Sequence, residues 1–158
     1  MIEIPFKIQL EVQLREIAGF CIAWFQDNSL QNPSPHWYVL IRIRDTENFL
    51  VIIITSQLAK RIDYYKKTKQ QNAADCLVRI GNNEFSFLHK EKNSAINCNE
   101  TELLSIAEII HRIDEGHGFK TENEKIPKYL KRNIVSAIIK SPLQPKMIGK
   151  LAKNSNPI

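Results

Sequence analysis

The sequence predicts an α+β fold, mainly β with C-terminal helices, built as a small, strongly bent antiparallel barrel. Three observations carry this. Residues 36–44 alternate apolar and polar side chains with the period of a strand. A four-residue turn then leads into the apolar run 49–56, which makes the two segments an antiparallel hairpin. Apolar residues recur at helical spacing only near the ends of the chain, so the helix-per-strand rhythm of a parallel sheet is missing.

The first helix is expected within residues 1–18. Phe6, Ile8, Leu10, Val12 and Leu14 alternate like a strand, but Pro5 suits a first helical turn and Gly19 a stop. Phe6, Leu10, Leu14 and Ile17 then form one stripe. Residues 19–26, rich in aromatic and branched side chains, read as the first strand, and residues 27–35, with two prolines, as a loop. In the next strand Trp37, Val39, Ile41 and Ile43 share one face, with His36, Tyr38, Leu40, Arg42 and Arg44 on the other. Residues 49–56 read as a strand buried on both sides. Residues 57–71 are polar and read as a loop, residues 76–80 as a strand, 84–88 as an extended piece and 94–98 as a last strand. Asn99 or Thr101 would cap a helix through Leu103, Leu104, Ala107, Ile110 and Ile113. Pro127 opens another, with Leu130, Ile134, Ala137 and Ile138 inward, closing near residues 141–142. The chain thus divides into an N-terminal helix (1–18), a barrel with helices (19–142) and a basic, fraying tail (143–158).

Length and composition narrow the function. A chain of 158 residues suits a single domain that buries about two-thirds of its surface. Its 43% hydrophobic and 25% charged residues exclude disordered and fibrous classes. The longest apolar run, 49–54, is too short for a bilayer, and the first twenty residues lack the pattern of a secretory signal, so a cytoplasmic protein is expected. Cys21, Cys76 and Cys98 are scattered, as a reducing compartment permits; a zinc site from Cys76, His89 and Cys98 can be drawn, but buried free thiols fit the spacing better. The net charge of +5 is uneven: residues 120–158 carry nine basic and two acidic groups, residues 80–119 three and seven. A basic end of this kind meets phosphates or keeps a helix soluble.

No phosphate-loop, dinucleotide, nucleophile-elbow or paired-histidine zinc motif occurs, so neither cofactor nor metal is expected. His111 and His117 read as surface residues. What remains is the central hairpin. His36 begins one strand while Thr55 and Ser56 end the next, so an antiparallel pairing brings them together as a minimal acid–base constellation. The alternative is ordinary: a half-exposed turn histidine and hydroxyls bonded to local backbone.

The stretches from Gly19 through Trp24, from Pro35-His36-Trp37 through Ile41, and from Leu50 through Thr55-Ser56-Gln57 resemble the PemK/MazF-like toxin family over roughly residues 19–142. The resemblance implies an SH3-like barrel, usually dimeric, that cuts single-stranded RNA without metal and is silenced by an antitoxin protein. It implies functional roles for Thr55 and Ser56, and it sets His36 at or near the family's arginine, a departure that exchanges a permanent cation for a titratable one. Arg61 or Arg42 would supply countercharge, with Lys60, Tyr64, Tyr65, Tyr38 and Trp37 along the RNA. The alternative is a non-catalytic barrel that binds nucleic acid or protein in a toxin–antitoxin type system.

Overall fold

The computed structural model describes residues 3–81, 84–88 and 93–155. Among them, seven strands form one antiparallel sheet accompanied by six α-helices, an α+β architecture. The N-terminal segment is a helix, α1 (Phe6–Glu16), because Leu10 and Leu14 repeat at a four-residue spacing that a helix can bury together. Full burial of two leucines contributes about 3–6 kcal/mol. Ile8 and Val12, which would serve a strand, face outward. Gly19 turns the chain at φ +95°, a conformation that side-chain-bearing residues resist.

Strand β1 (Phe20–Gln26) pairs with β2 (Pro35–Arg42), which pairs with β3 (Asn48–Thr55). Helices α2 (Leu58–Lys67) and α3 (Gln71–Ala74) follow, then β4 (Leu77–Ile80), β5 (Ser94–Asn97) and β6 (Glu102–Ser105). Helix α4 (Ile106–Arg112), the short β7 (Lys120–Thr121), α5 (Lys128–Lys140) and α6 (Lys146–Asn154) complete the chain. The pairing order runs β4-β5-β3-β2-β1-β7, with β6 joining β3. Among the described residues no pairing links β4 to β7. No described helix is long and apolar enough to cross a membrane.

The pleat sorts the core into layers. Ile22, Val39, Ile41, Leu50, Ile52 and Ile54 face α5 and α6 through Leu130, Ile134, Ile138, Ile148 and Ala152. On the other face Ala23, Phe25, Tyr38, Leu40, Phe49 and Val51 meet Leu10 and Leu14 of α1 and Ile106 and Ile109 of α4. A third cluster packs Leu58, Tyr65 and Ala73 against Leu77 and Ala95.

Four segments differ from expectation. Residues 58–67 are helical rather than a loop, because Leu58, Ile62 and Tyr65 form an apolar stripe beneath the lysines. Leu103 and Leu104 belong to β6, paired with Leu50 and Phe49. Helix α4 starts later, at a capping box in which Ser105 accepts from the Glu108 amide and Glu108 from the Ser105 amide. Residues 84–88 turn rather than extend, tucking Phe85 into the core. The expected fraying tail instead contains α6, which lies against α5 so closely that a β-carbon at Gly149 would sit 3.3 Å from the Ile139 backbone.

Behind α2 and β5, Asn97, Asn99, Tyr65 and Ser141 form a buried polar network. The Asn99 amide donates to the Ala73 carbonyl at 2.7 Å and its oxygen accepts from the Ser141 hydroxyl at 2.6 Å. Replacing Asn99 with alanine strands both partners, so we expect a loss of about 2–4 kcal/mol. Urea unfolding checks this as a lower midpoint at unchanged slope; an unchanged midpoint would mean that water replaces the amide at no cost.

Candidate functional site

The ladder between β2 and β3 ends at Tyr38 and Ile53. Beyond it Ile54 and Thr55 pair on their other edge with Ile96 and Ala95 of β5. The strands part there, and a cavity of about 270 Å³ opens at the end of the sheet. Its walls include Trp24 and Trp37, which are partners across β1 and β2, together with His36, Ser56, Phe87 and Ser94. His36 and Ser56 therefore meet at one cavity, as the hairpin geometry predicts.

His36 is partly buried, and its ring stands perpendicular to that of Tyr38 with centroids 6.4 Å apart. The Ser34 hydroxyl lies 3.1 Å from Nε2. The tautomer whose Nε2–H donates to Ser34 leaves Nδ1 with the lone pair that a base requires. Burial first, and then the positive charge of Arg61, lower the pKa of His36 below the ordinary histidine value. The imidazole is thus neutral near pH 7, suited to taking a proton rather than clamping a phosphate as a fixed cation. Arg61 reaches this environment from α2, not from the loop expected there.

The other sequence candidates divide. Ser56 is exposed on the cavity wall. Thr55 does not line the cavity; its hydroxyl accepts from the Gln57 amide at 3.1 Å and helps turn the chain into α2. Lys60 and Tyr64 are exposed on α2. Tyr65 is not a stacking surface: it is 3% exposed, and its hydroxyl bonds with the side chain of Asn97. Arg42 is likewise engaged within the fold. Its guanidinium donates to the carbonyls of Leu14, Arg15 and Ile17 at the end of α1 and to that of Thr46. A cation at the carbonyls that close a helix is what its C-terminus favours. Trp37 packs on Phe87 at 4.3 Å, and Tyr38 is buried beneath Phe25.

Several site residues were missed by sequence reasoning. Trp24 joins Trp37 through the β1–β2 register, and Lys120 of β7 places its ammonium 5.1 Å from the Trp24 ring centroid. A tryptophan in each of two adjacent strands was the available signal; the register was not. Phe87 and Ser94 enter through turns that no periodicity marks.

Buried Cys98 and Cys76 have thiols pushed above the ordinary value by burial, and His89 lies outside the described residues. Among the described residues no group of three or more His, Cys, Asp or Glu side chains is placed to hold a metal ion. Comparisons with family models, curated proteins and solved structures gave no match to this chain.

The His36 environment predicts a titration. By NMR its midpoint should fall below about 6.5, and Arg61→Gln should raise it by removing the repelling charge. The unfolded imidazole takes up its proton at about pH 6.5 and the folded one only at lower pH, so acidification below about 6.5 costs folding stability. A His36 midpoint at or above the ordinary value, or one indifferent to Arg61→Gln, contradicts the assigned environment.

Proposed function

We propose that this chain is an endoribonuclease resembling the PemK/MazF-like toxins, acting on single-stranded RNA without a metal. The observation that carries the reading is that His36, Ser56 and two tryptophans line one cavity at the end of the sheet, with Arg61 near enough to lower the pKa of the imidazole. Ribonucleotide cleavage needs a base for the 2′-hydroxyl, donors for the phosphoryl oxygens and a surface for an unstacked base.

His36 takes the 2′-hydroxyl proton at Nδ1 as that oxygen attacks phosphorus. The bond to the 5′-oxygen breaks, and that oxygen receives a proton from the imidazolium or from water. The products are a 2′,3′-cyclic phosphate and a 5′-hydroxyl. Ser56 donates to a phosphoryl oxygen, and Arg61 balances the developing charge in the role that the family arginine would have filled. Trp37 and Trp24 offer faces to the base, while Lys60 and Lys120 supply positive charge along the RNA and Tyr64 a further stacking face. The same resemblance supports a cytoplasmic homodimer silenced by an antitoxin protein laid over the groove between the hairpin and α2.

A second reading is a barrel-like module that binds nucleic acid or protein without cutting. It is favoured by Thr55, whose hydroxyl is engaged with local backbone.

Incubation with a labelled single-stranded RNA in EDTA separates the two. Cleavage with cyclic-phosphate ends is expected, blocked by a 2′-deoxy residue at the scissile position. His36→Ala should lower the rate by about 10²–10⁴-fold while salt-sensitive binding persists. RNA that stays intact but bound assigns the chain to the second reading; RNA neither cut nor bound removes both nucleic-acid readings.

A further inference from the structure

A second cavity, of about 490 Å³, opens on the α1–α4 face of the sheet. Its floor and sides are Val51, Ile53 and Leu104, with Leu30 and Leu143 completing an apolar wall. Three carboxylates, Asp27, Glu100 and Glu102, also line it. Arg112 pairs with Glu102 and lies 3.7 Å from Asp27, so one cation stands against three anions. This excess is local to one cavity of a protein with a net charge of +5.

The independent observation is Tyr38. Tyr38 lines this cavity and is 4% exposed, yet its hydroxyl, itself closed off from solvent, has no hydrogen-bond partner among the described residues. Asp27, Glu102 and Glu100 act on that hydroxyl, adding to burial in raising its pKa, so the oxygen lies within the field of the same carboxylates. A buried hydroxyl without a partner is costly, and its two lone pairs await a donor.

We infer that this cavity binds an alkylammonium group. An ammonium carries three donors and one positive charge, matching the Tyr38 oxygen, the free capacity of Glu100 and Glu102 and the local anionic excess. Its methylene stem matches the aliphatic wall, as lysine stems do when they lie along apolar surface. The group is either a free diamine or the lysine side chain of a partner peptide. This site is separate from the His36 cavity and does not depend on the ribonuclease reading.

The test is a methyl-detected NMR titration of the full chain with putrescine, with a blocked Ala-Lys-Ala peptide and with 1-butanol as the neutral control. The Val51, Ile53 and Leu104 methyls should shift with the cations and not with the alcohol. Preference for putrescine identifies a free amine as the source, and preference for the peptide a lysine side chain. Tyr38→Phe retains the ring stacked 4.1 Å from Phe25 and should weaken binding about tenfold. Glu100→Gln, at an exposed position, should weaken it about threefold. Absence of shifts with either cation overturns the inference. So does an equal response to 1-butanol, or equal affinity in both variants.

Discussion

The fold depends on β3. Its residues are apolar from Phe49 to Ile54, and both faces are covered, by α5 and α6 on one side and by α1 and α4 on the other. One edge pairs with β2; the other is divided, Asn48–Val51 going to β6 and Ile54–Thr55 to β5. A single strand thereby anchors three neighbours. Where it turns from β2 towards β5, the sheet parts and the His36 cavity forms. The opening is a consequence of strand pairing and needs no special loop. Substitutions in β3 that loosen this division would be felt at the cavity as well as in the core.

What was legible in the sequence was what local pattern encodes. Alternation fixed the two faces of β2, and both appear as read: Val39 and Ile41 in one layer, Leu40 with Tyr38 in the other. The turn between β2 and β3 fixed their antiparallel sense, which put His36 and Ser56 at one end of the sheet. Pairings between distant segments were not legible. Leu103 and Leu104 have helical spacing with Ala107, but the open edge at Leu50 and Phe49 offers a ladder that a helix could not use. Residues 58–67 looked like a polar loop because five of the ten positions are charged. Three side chains at helical spacing over β4 and β5 were enough to make a helix. Arg42 looked exposed on a strand, and only the position of α1 shows its guanidinium committed to carbonyls.

Under the ribonuclease reading His36 stands where the resembled toxins carry an arginine, which changes how a phosphate site would operate. Arginine holds its charge at every accessible pH, whereas a desolvated imidazole beside Arg61 is neutral near pH 7. Under the ribonuclease reading the two functions are therefore divided: the cation comes from α2 and the base from β2. This division depends on residues 58–67 being helical, since a helix holds Arg61 at a defined distance from the sheet in a way a loop would not. Thr55 fits the same account. With its hydroxyl bonded to Gln57 it positions the start of α2, and thereby Arg61, rather than touching a ligand itself.

Tyr38 lines the acidic cavity and stands beside His36. Its ring is perpendicular to the imidazole, while its hydroxyl lies in the field of Asp27, Glu100 and Glu102. One side chain thus stands between an imidazole acted on by Arg61 and a cavity carrying three carboxylates. Glu100 and Glu102 come from the acidic stretch of the sequence and Lys120 from its basic one, whereas Asp27 and Arg61 belong to neither, so the fold rather than the sequence order brings these charges together. The Tyr38 ring is stacked on Phe25 and buried, so it holds the imidazole on one side and the carboxylates on the other out of direct contact, and a substitution that loosened the stack would be felt on both sides.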